Sequence, residues 1–124
     1  VNTTLTSLDV SGYGRPNVGK EGALAIVKAL EFNTTMKSII LRANNLGLEG
    51  GKAMARMLEF NTTLKTLILA ENFLDAAAGV AIAKALEGNT TLTKVDLRFN
   101  LMDDDAKNAL REAVKGREGF TLGL

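Results

Sequence analysis

Leu64-Lys65-Thr66-Leu67-Ile68-Leu69-Ala70-Glu71-Asn72-Phe73-Leu74 decides how this chain folds. Written as a pattern it is L-x-x-L-x-L-x-x-N-x-L. Leu67 and Leu69 share one face of a strand, while Thr66, Ile68 and Ala70 face the other way. The same frame holds Met36, Ile39, Leu41, Asn44 and Leu46, and again Leu92, Val95, Leu97, Asn100 and Met102. An Asn-Thr-Thr triplet precedes each copy, and the triplets begin at Asn2, Asn33, Asn61 and Asn89, 31, 28 and 28 residues apart. One more step of 28 from Leu92 lands on Phe120, which opens a partial copy. Residues 1–124 therefore read as one array, with four units starting near 2, 33, 61 and 89 and a closing strand at 119–124.

The second half of each unit changes period. Gly50, Ala53, Met54, Met57 and Leu58 lie on one face of a helix. Gly22, Ala25, Ile26, Ala29 and Leu30 repeat that spacing, as do Ala78, Ala81, Ile82, Ala85 and Leu86, and Ala106, Ala109, Leu110, Ala113 and Val114. A lone unit cannot bury its apolar face, so the units must stack with their strands in a parallel sheet. Strands lie about 4.8 Å apart and helices need roughly 8–10 Å, so the stack bends with the sheet inside and the helices outside. Small residues at Gly50, Ala53, Ala78 and Ala81 read as close packing.

Asn44, Asn72 and Asn100 sit where each strand ends. Their amides can bond orphan backbone groups of successive turns, which predicts a buried ladder. Glu21, Glu49 and Asp103-Asp104-Asp105 suit helix starts. Asn33, Asn61 and Asn89 suit a left-handed residue just past a helix end. The first unit departs from the pattern. Leu5, Leu8 and Val10 are followed by Ser11-Gly12-Tyr13-Gly14-Arg15-Pro16-Asn17-Val18, and neither Tyr13 nor Pro16, the two positions in register with Asn44, is asparagine.

These motifs resemble the leucine-rich repeat family, specifically its ribonuclease-inhibitor-like branch, whose units of about 28 residues carry a full helix. NOD-like receptors carry similar arrays. The resemblance implies an α/β leucine-rich repeat solenoid, a horseshoe fragment, that acts without catalysis by binding a protein partner on its concave face. It also allows a regulator of an enzyme, a GTPase-activating or inhibitory leucine-rich repeat protein, and it implies a cytoplasmic setting.

Composition narrows the chemistry independently. Fifteen basic and fourteen acidic residues leave a formal charge of +1, which gives no footprint for nucleic acid or for a membrane surface. Without cysteine or histidine the chain lacks thiolates, the commonest general base and the commonest metal ligands. No apolar run reaches the roughly 18 residues of a membrane helix. Asp103-Asp104-Asp105 lacks the alternation, central glycine and terminal glutamate of a calcium loop, and reads as helix capping. The Asn-Thr-Thr triplets match the N-glycosylation acceptor, yet their fixed spacing is explained by turns. Gly12, Gly14 and Gly19 do not form a phosphate-loop signature, because Glu21 follows Gly19-Lys20. Ser7, Ser11 and Ser38 have no histidine to activate them. We therefore expect no enzyme and no cofactor.

A surface remains. The outward strand positions form the rows Asp9, Ile40, Ile68, Asp96 and Ser11, Arg42, Ala70, Arg98, with Glu71 and Phe99 beyond them. Isoleucine beside arginine with an aromatic at the edge is the composition of a protein-binding patch. The candidate partner-binding residues are Ile40, Ile68, Arg42, Arg98, Asp96 and Phe99. Val1-Asn2-Thr3 opens at a unit boundary without a polar cap, whereas Arg117-Glu118-Gly119 replaces the triplet at the far end. The expectation is the C-terminal piece of a longer array, with an open first strand able to self-associate.

Overall fold

The computed structural model describes residues 2–13 and 17–124. Gly14 and Pro16 of the inserted turn, and Val1, lie outside the described residues. Short strands alternate with helices in chain order: β1 (Ser7–Asp9), α1 (Gly19–Leu30), β2 (Ser38–Ile40), α2 (Gly47–Phe60), β3 (Thr66–Ile68), α3 (Ala76–Gly88), β4 (Lys94–Asp96), α4 (Asp104–Ala113) and β5 (Thr121–Gly123). All strands run parallel in the order β1-β2-β3-β4-β5. The register follows the sequence frame, with Leu8, Ile39, Leu67, Val95 and Leu122 side by side.

The core lies between the sheet and the helix row. Leu41, Leu46, Leu64, Leu67, Leu69, Leu74, Val95 and Leu97 are all buried in it. Each contributes on the order of 1.5–3 kcal/mol by leaving water. Helix α1 departs from expectation: of Gly22, Ala25, Ile26, Ala29 and Leu30, only Leu30 is buried, together with Ala23 and Val27. Among the described residues α2 is the helix that packs on α1, so only the side facing α2 is covered.

Helix-to-helix contact turns on two glycines outside the expected face. A Cβ on Gly51 would meet Ala78 Cβ at 2.7 Å, and one on Gly79 would meet Met102 Sδ at 2.5 Å. Both distances are below any ordinary contact: a side chain on Gly51 would push α2 and α3 apart, and one on Gly79 would displace the Met102 side chain ahead of α4 and crowd Ala106 Cβ at 3.2 Å. Gly12 is confined in the same way, since a Cβ there would lie 2.1 Å from the Ala43 carbonyl oxygen.

The triplet asparagines are not left-handed. Asn61 (φ −76°, ψ 126°) and Asn89 (φ −88°, ψ 117°) are extended. Their work is done by the side chain. Asn61 Oδ1 accepts from Thr63 N (3.0 Å) and Leu64 N (2.8 Å), and Asn89 Oδ1 accepts from Thr91 N (3.1 Å) and Leu92 N (2.9 Å). Asn2 and Asn33 make the same pair of bonds. Such an Asx turn fixes the chain as it enters the next strand. The buried Asn89 also donates to Leu58 O (2.8 Å) and Asn61 O (3.2 Å), so its amide is engaged in holding adjacent units. Arg117 stands 28 residues later and takes over this task, donating to Leu86 O (3.1 Å) and Leu92 O (2.8 Å).

The second asparagine row forms the expected ladder. Asn44 and Asn72 are fully buried, and Asn100 is half-buried. Asn100 Oδ1 accepts from Asn72 N (2.9 Å), Asn72 Oδ1 from Asn44 N (2.8 Å), and Asn44 Oδ1 from Val18 N (2.8 Å). Each rung also donates to carbonyls at its strand's end. Asp103 caps α4 through Ala106 N (2.9 Å), and Asp75, which sequence reading passed over, caps α3 through Ala78 N (2.9 Å).

Candidate protein-binding face

The parallel register sets Asp9, Ile40, Ile68 and Asp96 across the sheet on the side away from the helices. Ile40 and Ile68 are half-buried, and Asp96 is buried. In the following row Ala70 is buried too, a methyl between the long side chains of Arg42 and Arg98. The face is therefore more closed than its outward pattern suggested.

Neither arginine projects freely. Arg98 forks onto Asp96, with Nε to Oδ1 at 3.0 Å and Nη2 to Oδ2 at 2.9 Å. Those bonds, more than the burial that opposes them, hold the Asp96 carboxyl below its ordinary range and raise Arg98. Arg42 donates to Glu71 Oε1 through Nε (3.1 Å) and Nη2, and its guanidinium carbon lies 5.3 Å from the centre of the Tyr13 ring. Tyr13 Oη donates to the same Glu71 oxygen at 3.0 Å. Glu71 is lowered by Arg42 first and Tyr13 second, while removal from water and then the Glu71 bond raise Tyr13. Asp9 is lowered by Ser11, whose hydroxyl (2.6 Å) and backbone N–H (2.9 Å) both donate to it. Asp9, Arg42, Glu71, Asp96 and Arg98 are thus paired or bonded in fixed positions.

Phe99 stands apart from Ile40 and Ile68. It lies with Ala43 and Glu71 in the turns that lead from strand to helix, where all three have left-handed backbone (φ 58–59°). Asn45 and Phe73 form a second left-handed row (φ 57°). These turns border a groove of about 560 Å³ lined by Asn17, Ala43, Asn45, Glu71, Phe73, Phe99 and Leu101. Phe73, Phe99 and Leu101 are 59%, 71% and 63% exposed. Sequence reading named Phe99 alone of these. Tyr13 was hidden in the insertion, and Phe73 and Leu101 were passed over although they follow Asn45 at steps of 28 residues.

A family model described as Leucine Rich repeat matches residues 1–12, 32–55 and 88–106. The solved structure "Leiomodin-1 Actin-Binding Site 2 (ABS2)" is similar over 98% of this chain and 71% of that chain, at 25% identity and a TM-score of 0.84. The chain has the leucine-rich repeat fold. No curated protein matches it at a significant level. Leucine-rich repeat geometry accounts for the ladder, the parallel sheet and the helix row. Among the described residues no helix is long and apolar enough to cross a membrane.

Proposed function

We propose that this leucine-rich repeat array is a non-catalytic protein-interaction module that binds its partner on the concave sheet face. One observation carries the reading. Ile40 and Ile68 stand adjacent and half-buried in the row Asp9–Ile40–Ile68–Asp96, next to the paired charges Arg42–Glu71 and Arg98–Asp96. Apolar area framed by side chains already held in place loses little conformational entropy on binding, which is the property of a docking face. The six candidate residues Ile40, Ile68, Arg42, Arg98, Asp96 and Phe99 remain our proposed contacts. Residues 1–124 are treated as one array of the ribonuclease-inhibitor-like type, consistent with helices of 10–14 residues in its units. Regulation of an enzyme would need a projecting arginine, and it draws less support while both arginines are held by carboxylates of the same chain.

The actin-binding neighbour makes actin the first partner to test, and an actin partner implies a cytoplasmic setting. Co-sedimentation with filamentous actin should retain the wild type. Ile40→Thr with Ile68→Thr keeps β-branched side chains in the strands but removes apolar area, and should weaken retention several-fold. Lys52→Glu with Arg56→Glu, on the exposed side of α2, should leave it unchanged. Loss confined to the helix pair would move the site off the sheet, and no retention of the wild type would refute the actin assignment.

A further inference from the structure

Two phenylalanines occupy positions that folding alone would not give them. The left-handed turn recurs through the row Ala43, Glu71 and Phe99, and in the other row Phe73 shares it with Asn45 while Leu101 does not adopt it. Left-handed backbone is strained for a bulky side chain and tolerated by asparagine. Burial offers no compensation, since both rings are mostly exposed. Strain and exposure together, at two positions that converge with Leu101 on one groove, point to a use outside the fold.

The charge beside the groove is one-sided. Helix starts line this edge and bring Glu21, Glu49, Asp75, Asp103, Asp104 and Asp105 against Lys20 among the described residues, while the nearby Arg42 and Arg98 are each held by a carboxylate, Glu71 and Asp96, so the acids stay in excess. Asp75 is tied to the groove wall directly by its backbone bridge to Leu101. An apolar trough beside an acidic margin complements a segment with an apolar ridge and a basic flank.

We propose that the Phe73–Phe99–Leu101 groove is a second docking surface, and that it takes a basic amphipathic segment of a partner protein. The groove lies beside the sheet face and shares Phe99 with it, whereas Ile40 and Ile68 do not line it, and the proposal rests on the reading above only in taking the partner to be protein. The phenyl rings supply the anchors, and the helix-start carboxylates attract and orient the basic flank.

The test uses labelled synthetic peptides and fluorescence anisotropy. A Leu/Lys amphipathic peptide should bind, and a Leu/Glu peptide of the same apolar pattern should bind at least about tenfold more weakly, with added salt weakening the first. Phe73→Asn with Phe99→Ala borrows the residues that the same turns already carry at Asn45 and Ala43. It should weaken Leu/Lys binding about 30-fold or more without lowering the melting temperature. Asp104→Asn with Asp105→Asn should weaken binding and flatten its salt dependence.

No binding of the Leu/Lys peptide, equal binding of both peptides, or full binding by the phenylalanine double variant would each overturn the proposal. So would a lowered melting temperature in that variant, because the rings would then be serving the fold. Loss of peptide binding in Ile40→Thr with Ile68→Thr instead would place the site on the sheet. Failure of actin to bind, with groove-dependent peptide binding intact, would remove the actin assignment and leave this site standing.

Discussion

Replacing Asn72 by alanine isolates one rung of the ladder. Its Nδ2 donates to Leu41 O (2.9 Å), Leu69 O (3.1 Å) and Ala70 O (3.1 Å), and its Oδ1 accepts from Asn44 N (2.8 Å). The three carbonyls have second donors: Asn44 Nδ2 on Leu41 O, Asn100 Nδ2 on Leu69 O, and Ala43 N on Ala70 O. Asn44 N has no such substitute in a site with no exposure. The loss is therefore dominated by one orphaned buried N–H, about 1–3 kcal/mol, with smaller additions from the weakened carbonyls. A total of about 2–4 kcal/mol is a large share of the roughly 5–15 kcal/mol that holds a domain together. Asn72→Asp should be worse at neutral pH, because a carboxylate can still accept from Asn44 N but faces three carbonyl oxygens with nothing to donate. Urea unfolding measures the loss, and hydrogen exchange at Asn44 reads the orphaned amide directly. A loss under about 0.5 kcal/mol with Asn44 still protected would refute the assignment of that N–H to Asn72.

Gly51→Ala should cost about 1–3 kcal/mol, because its new methyl lands 2.7 Å from Ala78 Cβ, whereas Gly88→Ala meets nothing within 4 Å and should be neutral or stabilising. Equal melting temperatures for these two variants would contradict the close helix contact. Leu67→Ala should cost about 2–5 kcal/mol in the same assay, and less than about 1 would remove it from the core. Asp96 is lowered by Arg98 in the folded chain, so its contribution is present above the ordinary value of 3.8 and fades as pH falls through the lower folded value. Wild type should accordingly exceed Asp96→Asn in stability at neutral pH and converge with it in acid, and parallel pH curves would deny the pair a role. Among the described residues β1 is the edge strand of the sheet, next to Leu5 and Phe32, which are 41% and 73% exposed, so light scattering on residues 1–124 should show self-association at high concentration. A constant monomer mass over a wide concentration range would count against it.

The repeat made the scaffold legible because it states each rule several times over. Leu67 and Leu69 needed only a period of two, and Asn72 needed only a position at which every neighbouring unit also has asparagine. Where the reading failed, the missing quantity was a distance or a backbone angle. Gly51 lies outside the i, i+3, i+4 face, and nothing in its letter says that Ala78 passes within reach of a Cβ. Asn61 and Asn89 are compatible by type with a left-handed helix end and equally with an Asx turn. The two differ only in whether the backbone or the side chain does the bonding.

The candidate site was less legible for a related reason. Outward alternation identifies Ile40, Ile68, Arg42 and Arg98 as facing away from the core, but alternation carries no information on pairing. Arg98 meets Asp96 two residues away, which strand spacing permits, yet Arg42 meets Glu71 and Tyr13 from other units. Two positive charges that looked available for a partner are already engaged at home. Phe73 and Phe99 show the converse. They read as ordinary apolar residues until the left-handed backbone shows that Asn45 and Ala43 fill the same places at lower cost. In an array, the unit next door is the control experiment. A residue that departs from its register equivalents against the preference of the backbone is unexplained by the fold, and Phe73 and Phe99 depart together on the same groove.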